Sequence, residues 1–429
     1  MLRQQTEHTL VTKQLFIEQA LQWADQFSHV AYYHHNDIPY PHKGFQEIIA
    51  IGCEQELNPL PGDRFESLRA FHQNDWLFGY LGYDLKNDTE AIESNNPDLL
   101  DFPEMAFFKA RHILFFDGNK VTIDSDDETV FEKIISTPLS HQESSFSPVK
   151  ASMTRDTYLD ITQKLRMHIE EGDCYEINFC QEFHGDIIEA HPATLFLELS
   201  RISPKPFASF QKWNSQYILS ASPERFMKKT GTELISQPIK GTRPRGSSAA
   251  EDKRLAHELR HDEKELAENM MIVDLVRNDL ARSSQPGSVK VEELFGIYQF
   301  EQVFQMISTV RSELRSDHHF IDAIKNAFPM GSMTGAPKVK VMELIEQYEN
   351  TKRGAFSGAA GYISPDGDFD FNVMIRSLFL DLQKRLYSFQ VGSAITYDAI
   401  PENEYDECLV KAKAIMQLLS ASDQCTLLL

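Results

Sequence analysis

The chain has 429 residues, with 42 Lys and Arg against 64 Asp and Glu and a formal net charge of −22. This acidity speaks against nucleic acid or an anionic membrane as partner, since both are bound by basic surfaces. Apolar residues make up 41% of the chain, which supports a sizeable core and excludes global disorder.

At roughly 100–200 residues per domain, the length fits about two to four domains or one large intertwined body. Cys53, Cys174, Cys180, Cys408 and Cys425 form no CxxC pair, so neither a disulfide framework nor a zinc ribbon is expected. No stretch approaches the ~18 apolar residues of a spanning helix, and the N-terminal MLRQQTEHTLVTKQ lacks an apolar signal core. A cytoplasmic setting without membrane association is the expectation.

In chain order, residues 71–83 and 111–117 read as aromatic-rich strands. The Ser- and Pro-rich stretch 137–150 offers no periodic apolar face and divides the chain into regions 1–145 and 146–429. Residues 155–171 form an amphipathic helix with Tyr158, Ile161, Leu165 and Ile169 on one face, stopped at Gly172. Residues 217–240 read as two strands around the turn 229–232. The stretch 251–282 is the longest helical run, with Leu266, Met270, Val273 and Leu280 at helical spacing.

Three strand-like runs fill 354–397, with turns at 365–367 and 383–384, and a helix spans 402–420. Tight turns of this kind imply antiparallel pairing. The pattern gives an α+β fold of antiparallel β-sheets with helices packed outside.

Several segments carry reactive groups. PIKGTRPRG (238–246) presents Lys240 and Thr242 on what reads as a rigid turn, with Arg243 and Arg245 near in sequence. Neighbouring positive charge or burial would lower the lysine pKa and make it nucleophilic, whereas a solvated turn lysine is the plain alternative. SASPERF (220–226) places Glu224 after a strand as a candidate general acid. Glu268, Asp274 and Asp279 share one helix, and Glu404, Glu407 and Lys411 fall on one face of the last helix. Carboxylates from two helices suit a hard cation, although a solvated acidic face would look the same.

GSMTGAPK (331–338) leads into a helix and could receive a carboxylate, but it lacks P-loop spacing. Arg376, charged within the apolar run FNVMIRSLFL, asks for a carboxylate partner. Gly392 would let a ligand approach the backbone of its strand.

In this order the segments, together with GSVKVEELF, GAAGYIS and ENEYDECLVKAKAI, resemble the chorismate-utilising enzyme family over about residues 150–418. The resemblance implies antiparallel sheets flanked by helices, with a deep active-site cleft. It implies Mg2+ held by Glu268 and Glu407, with Glu404 in the same shell. Tyr362, Arg376, Lys411, Gly241, Thr242 and the backbone around Gly392 and Ser393 would hold the substrate carboxylates and ring. Lys240, Glu224 and Thr242 would carry the catalytic roles.

Lys240 replaces the Ala typical of the anthranilate-forming members. It points to the branch in which a lysine adds at ring carbon 2 and ammonia then enters at carbon 4. Anthranilate or isochorismate formation is the alternative, and a non-catalytic chorismate-binding subunit a more distant one. No LLES-type tryptophan motif, no GxCxG glutaminase motif and no lysine in GDCYEIN is present. Ammonia would therefore come from a separate glutamine amidotransferase subunit. Two positions depart from the family pattern: Glu176 stands where Gln is usual and Gln305 where His is usual. Glu176 is either a base that would admit water chemistry or a hydrogen-bonding residue, and hydrogen bonding is the favoured reading. Gln305 cannot transfer a proton, which suits an enzyme that stops after amination.

Overall fold

The computed structural model describes residues 3–140, 143–301 and 303–420; Cys425 lies outside them. All the strand pairs formed by these residues are antiparallel. The long strand Met105–Asp117 belongs to two sheets, pairing with Leu77–Leu81 at its start and with Ile48–Glu56 over most of its length.

From Ile48–Glu56 the first sheet runs through His29–His34, Phe207–Trp213, Gln216–Ser222, Ser377–Asp381 and Leu386–Ile395 to Glu176–Glu189. From Leu77–Leu81 the second runs through Ala359–Ile363, Phe369–Asn372, Arg225–Thr230 and Glu233–Gln237 to Val303–Glu313. Lys290–Gln299 and Ile239–Pro244 both pair with that last strand. Strands from before and after residue 146 thus share each sheet, in contiguous blocks that meet at the pairings of His29–His34 with Phe207–Trp213 and of Leu77–Leu81 with Ala359–Ile363.

Alternation along a strand sends neighbouring side chains to opposite faces, and the two cores follow from it. Tyr33 joins Phe78, Phe107, Phe226 and Phe371 between the sheets. The adjacent Tyr32 joins Phe210, Leu219 and Phe389 on the far side. The helices Lys13–Ala24, Arg155–Glu170, Pro192–Ile202 and Pro401–Ser420 cover that face with Phe16, Leu165, Phe196 and Ile415. Ala249–Arg260 and Glu263–Ala281 pack against the end of the second sheet. The result is the expected sandwich of antiparallel sheets with helices outside.

The stop at Gly172 is observed, with φ +86 just past Arg155–Glu170, and the turns at Gly231 and Gly367 also adopt positive φ. Other boundaries differ. Residues 64–72 are a helix that ends on left-handed Gln73, so the strand expected at 71–83 is only Leu77–Leu81. The run 251–282 is two helices, because the Asp262 carboxylate accepts from the N–H groups of Lys264 and Glu265 and starts a new one. Residues 217–240 contribute to four strands rather than two, and 354–397 holds four rather than three. Lys240 lies in the strand Ile239–Pro244, whose register breaks between Ile239 and Thr242, and not on a turn. Arg376 is left-handed (φ +54) between two strands, and not inside one.

One buried ion pair ties the second sheet together. The fully buried Arg225 guanidinium donates to both Asp370 oxygens at 2.8 and 2.9 Å and to Gln237 and the Lys43 carbonyl, and stacks over Phe207. Removing one partner of such a pair strands a buried charge. D370A is therefore expected to cost about 3–5 kcal/mol in urea-induced unfolding, far more than alanine at the exposed Asp274.

Candidate active site

A cleft of about 360 Å3 is bounded by Ile239–Pro244, Glu263–Ala281, Leu386–Ile395 and Pro401–Ser420. It collects Glu224, Lys240, Gly241, Thr242, Glu268, Arg376, Gly392, Glu404, Glu407 and Lys411, ten of the twelve residues named from sequence.

A bulge in Ile239–Pro244 aims its residues. Gly241 adopts φ +90, and a Cβ there would lie 3.1 Å from a Glu265 carboxylate oxygen and 3.2 Å from Leu259. Glycine alone meets both conditions comfortably. The Lys240 ammonium beside it donates to Glu176 Oε1 at 2.6 Å. Glu176 is buried to 1% exposure, and its Oε2 has no hydrogen-bond partner among the described residues. Burial is the largest influence on Lys240 and lowers its pKa, but the charges of Glu176, Glu268 and Glu224 together outweigh it and raise it.

The expectation of a lysine activated by positive neighbours is therefore corrected. Arg243 is committed to Asp262 and Glu265, and Arg245 to Asp252. Lys240 rests as an ammonium. Glu176 makes the hydrogen bond expected of it.

Glu224 follows Gln216–Ser222 and is 5% exposed. Burial pushes its carboxyl up to about 7, with the Ser332 hydroxyl and the Lys240 charge pulling the other way. A carboxyl poised near neutrality can donate a proton. Burial likewise raises Glu268 to about 7, against the Lys240 charge. Glu404 is also raised, by burial and the charge of Glu407. Burial would raise Glu407 too, but Lys411 at 2.6 Å outweighs it and holds the carboxyl low.

The Lys264 ammonium lies 3.7 Å from Glu268 Oε1 and 3.7 Å from Glu404 Oε1. All three carboxylates expected around a metal, Glu268, Glu407 and Glu404, line the cleft; the Lys264 ammonium lies between Glu268 and Glu404, and Glu407 lies against Lys411. Lys411 also donates to the Gly392 carbonyl at 2.9 Å. Arg376 has its pKa lowered to about 10 by burial, and donates only to the Lys411 carbonyl at 3.2 Å among the bonds observed.

Two residues expected at the substrate do not line the cleft. Tyr362 points into the aromatic core instead, its ring 5.2 Å from Tyr33 and its hydroxyl accepting from the Gln46 N–H at 3.0 Å. Phe356, six residues earlier, lines the cleft. Ser393 falls on the opposite strand face from Gln390, Gly392 and Ala394, with its hydroxyl 3.1 Å from Tyr158. From there it supports the Glu404 carboxylate.

Gly392 lines the cleft, but a different crowding explains it: a Cβ would lie 2.4 Å from Cys180 Sγ on the paired strand. Sequence reasoning also missed Asn178, Lys264, Phe356 and Gln390 in the wall. Period-2 spacing from Gly392 was a usable signal for Gln390, and one helical turn before Glu268 for Lys264. Gln305 faces Thr242 in the ladder and lines the cleft with a buried Oε1 that has no partner among the described residues.

An antiparallel sandwich whose one cleft holds carboxylates, the half-buried Lys240 and the further cations Lys264, Arg376 and Lys411 is suited to a small anionic substrate. The chain belongs to the chorismate binding enzyme family, matching it over residues 20–417. It is 32% identical to aminodeoxychorismate synthase component 1 of Bacillus subtilis, over 89% of this chain and 87% of that protein. Identity to anthranilate synthase component 1 of Thermus thermophilus is also 32%, over 81% and 78%. The crystal structure of anthranilate synthase component I from Streptococcus pneumoniae superposes with a TM-score of 0.76 at 28% identity, covering 88% of this chain and 92% of that one.

Glu224 yields a two-sided prediction. Its folded pKa lies above that of a free glutamate, so the native state holds the extra proton between about pH 4.5 and 7. Stability from this group is then full at low pH and falls as pH rises through 7. E224Q should unfold at a higher temperature than the parent at pH 8, by up to about 3 kcal/mol in stability, with no gain at pH 4. The same variant should lose about 10²–10⁴-fold in turnover.

Proposed function

We propose that the protein is the large subunit of an aminodeoxychorismate synthase, converting chorismate and ammonia to 4-amino-4-deoxychorismate for 4-aminobenzoate and folate synthesis. The observation that carries this reading is Lys240 in the cleft with Glu224, its ammonium paired 2.6 Å from the buried Glu176. An amine tethered there can occupy ring carbon 2 and so block ammonia from that carbon.

The steps balance in these groups. Lys240 loses a proton, for which Glu176 is the adjacent acceptor. Its nitrogen lone pair then forms a bond to ring carbon 2, the ring double bonds shift, and the carbon 4 hydroxyl leaves as water with the Glu224 proton. Ammonia adds at carbon 4, the double bonds shift back, and the lysine departs with its electron pair and recovers a proton. Gln305 cannot act as a proton shuttle, consistent with a reaction that stops before the ring is aromatised. Arg376 and Lys411 supply positive charge for the substrate carboxylates, with Gly241 and Thr242 at the ring.

Magnesium belongs to the same proposal. Glu268 and Glu404 already share a cation in the form of the Lys264 ammonium, and two carboxylates suit an ion that keeps several waters. Glu407, which also lines the cleft, would be the third carboxylate at the ion. Bound there, Mg2+ would offset the carboxylates and hold a substrate carboxylate. Ammonia would come from a separate glutamine amidotransferase subunit, supported by the "component 1" names of relatives and the lack of a GxCxG motif in the sequence. A cytoplasmic setting is part of the reading, supported by Cys53, Cys174, Cys180 and Cys408 being free thiols. No helix among the described residues is long and apolar enough to cross a membrane.

The purified chain, given chorismate, Mg2+ and ammonium, should form a product that a lyase converts to 4-aminobenzoate. K240A should slow that reaction or divert it, and mass spectrometry of the parent should find a chorismate-derived adduct on Lys240. Fluorescent anthranilate as the main product would sink the proposal, as would a water adduct at carbon 2.

A further inference from the structure

Lys264 is assigned to nothing by the reaction above. It begins one turn before Glu268 on the Glu263–Ala281 helix, yet its ammonium stands equidistant, at 3.7 Å, from Glu268 on its own helix and Glu404 on the last helix. Its side chain is 43% exposed, whereas those carboxylates are 11% and 4% exposed. Glu407, the remaining acid of the group, is held by Lys411. Every carboxylate expected to meet the metal thus lies beside an ammonium of this chain, Glu268 and Glu404 sharing one.

We propose that Lys264 is a tethered counter-cation, seated between Glu268 and Glu404 when the divalent ion is absent and displaced when it binds. The inference rests on the proposed metal role of those carboxylates. Two like-charged groups brought together in a partly buried cleft repel, and a cation between them removes that cost. A single positive charge on a flexible, half-exposed stem can leave at small expense. A divalent ion at the same place must expel it or tolerate a positive charge within a few ångströms, and either penalty weakens the metal. Lys264 therefore trades metal affinity for a folded, metal-free cleft. It is a positioning residue and touches no reacting atom in this scheme.

The test measures metal binding directly. Mg2+ titration calorimetry and Mn2+ electron paramagnetic resonance would be run without substrate on the full chain and on K264Q, K264R and E268Q. Lys264 is on a helix surface, so the glutamine is accommodated. K264Q should bind both ions about tenfold more tightly or better, unfold at a lower temperature without metal, and gain more in melting temperature when Mg2+ is added. K264R keeps the charge and should match the parent.

Unchanged or weaker metal binding by K264Q overturns the inference. So does equal tightening by K264R, since packing rather than charge would then be responsible. E268Q separates the two levels of the argument. If the parent binds Mn2+ and E268Q does not, the metal reading stands whatever Lys264 does. If the parent binds neither ion, or E268Q binds as the parent does, the metal reading fails, and the inference about Lys264 falls with it.

Discussion

Charge compensation in a buried cleft is the constraint on which this site depends. Glu176, Glu224, Glu268 and Glu404 are all at most 8% exposed, and a carboxylate taken out of water unpaired costs several kcal/mol. Each finds a different remedy. Glu176 has the Lys240 ammonium, Glu268 and Glu404 share Lys264, and Glu224, which has no ion pair, moves its pKa to about 7. The remedies leave the cleft a held ammonium, a cation between two carboxylates and a carboxyl poised near neutrality. The net charge of −22 carries no information about this. Local pairing decides which anion can enter.

The groups reach the cleft where regular structure breaks. Gly241 sits in a bulge that offsets Lys240 from Thr242, Arg376 takes a left-handed backbone between two strands, and Asp262 interrupts a helix so that a new one carries Lys264 and Glu268. Left-handed backbone in a residue such as arginine costs of order 1–3 kcal/mol and persists only where surrounding structure enforces it. Here the enforcement comes from flanking strands paired on both sides.

These breaks also explain what was legible from sequence. Residue types and their order were sufficient for the fold class and for most of the cleft, because Glu224, Lys240, Glu268 and Lys411 are set by local segments. Failures came where a side chain's face depends on distant pairing. Tyr362 is aromatic and near Gly361, and nothing local says that its strand lies against Leu77–Leu81 with Tyr33 beyond. Ser393 could have been corrected by counting alternate residues from Gly392. The role of Gly392 could not, because the atom that forbids a side chain is Cys180 Sγ, more than two hundred residues away. Asp262 was legible in principle as a helix cap, but the charged run around it hid the boundary.

Lys240 and Glu224 are related through one loop. The loop 331–336 ends in Gly335 and Ala336, which pair with the start of Glu176–Glu189, and a Cβ at Gly335 would come within 2.0 Å of the Glu176 carbonyl. The loop is clamped there by the Asn178 N–H donating to Thr334 and the Tyr175 N–H donating to Ala336. Buried Arg353 adds a bond to the Met333 carbonyl. The same loop presents Ser332, whose hydroxyl counters the upward pull of burial on Glu224. Glu176, which orders Lys240, and Ser332, which tunes Glu224, are therefore registered against each other through a few residues of backbone. A shift of this loop would disturb the carboxylate beside Lys240 and the carboxyl of Glu224 together. Lys240 and Glu224 are thus coupled through two segments, around Glu176 and Ser332, that lie far from both in the sequence.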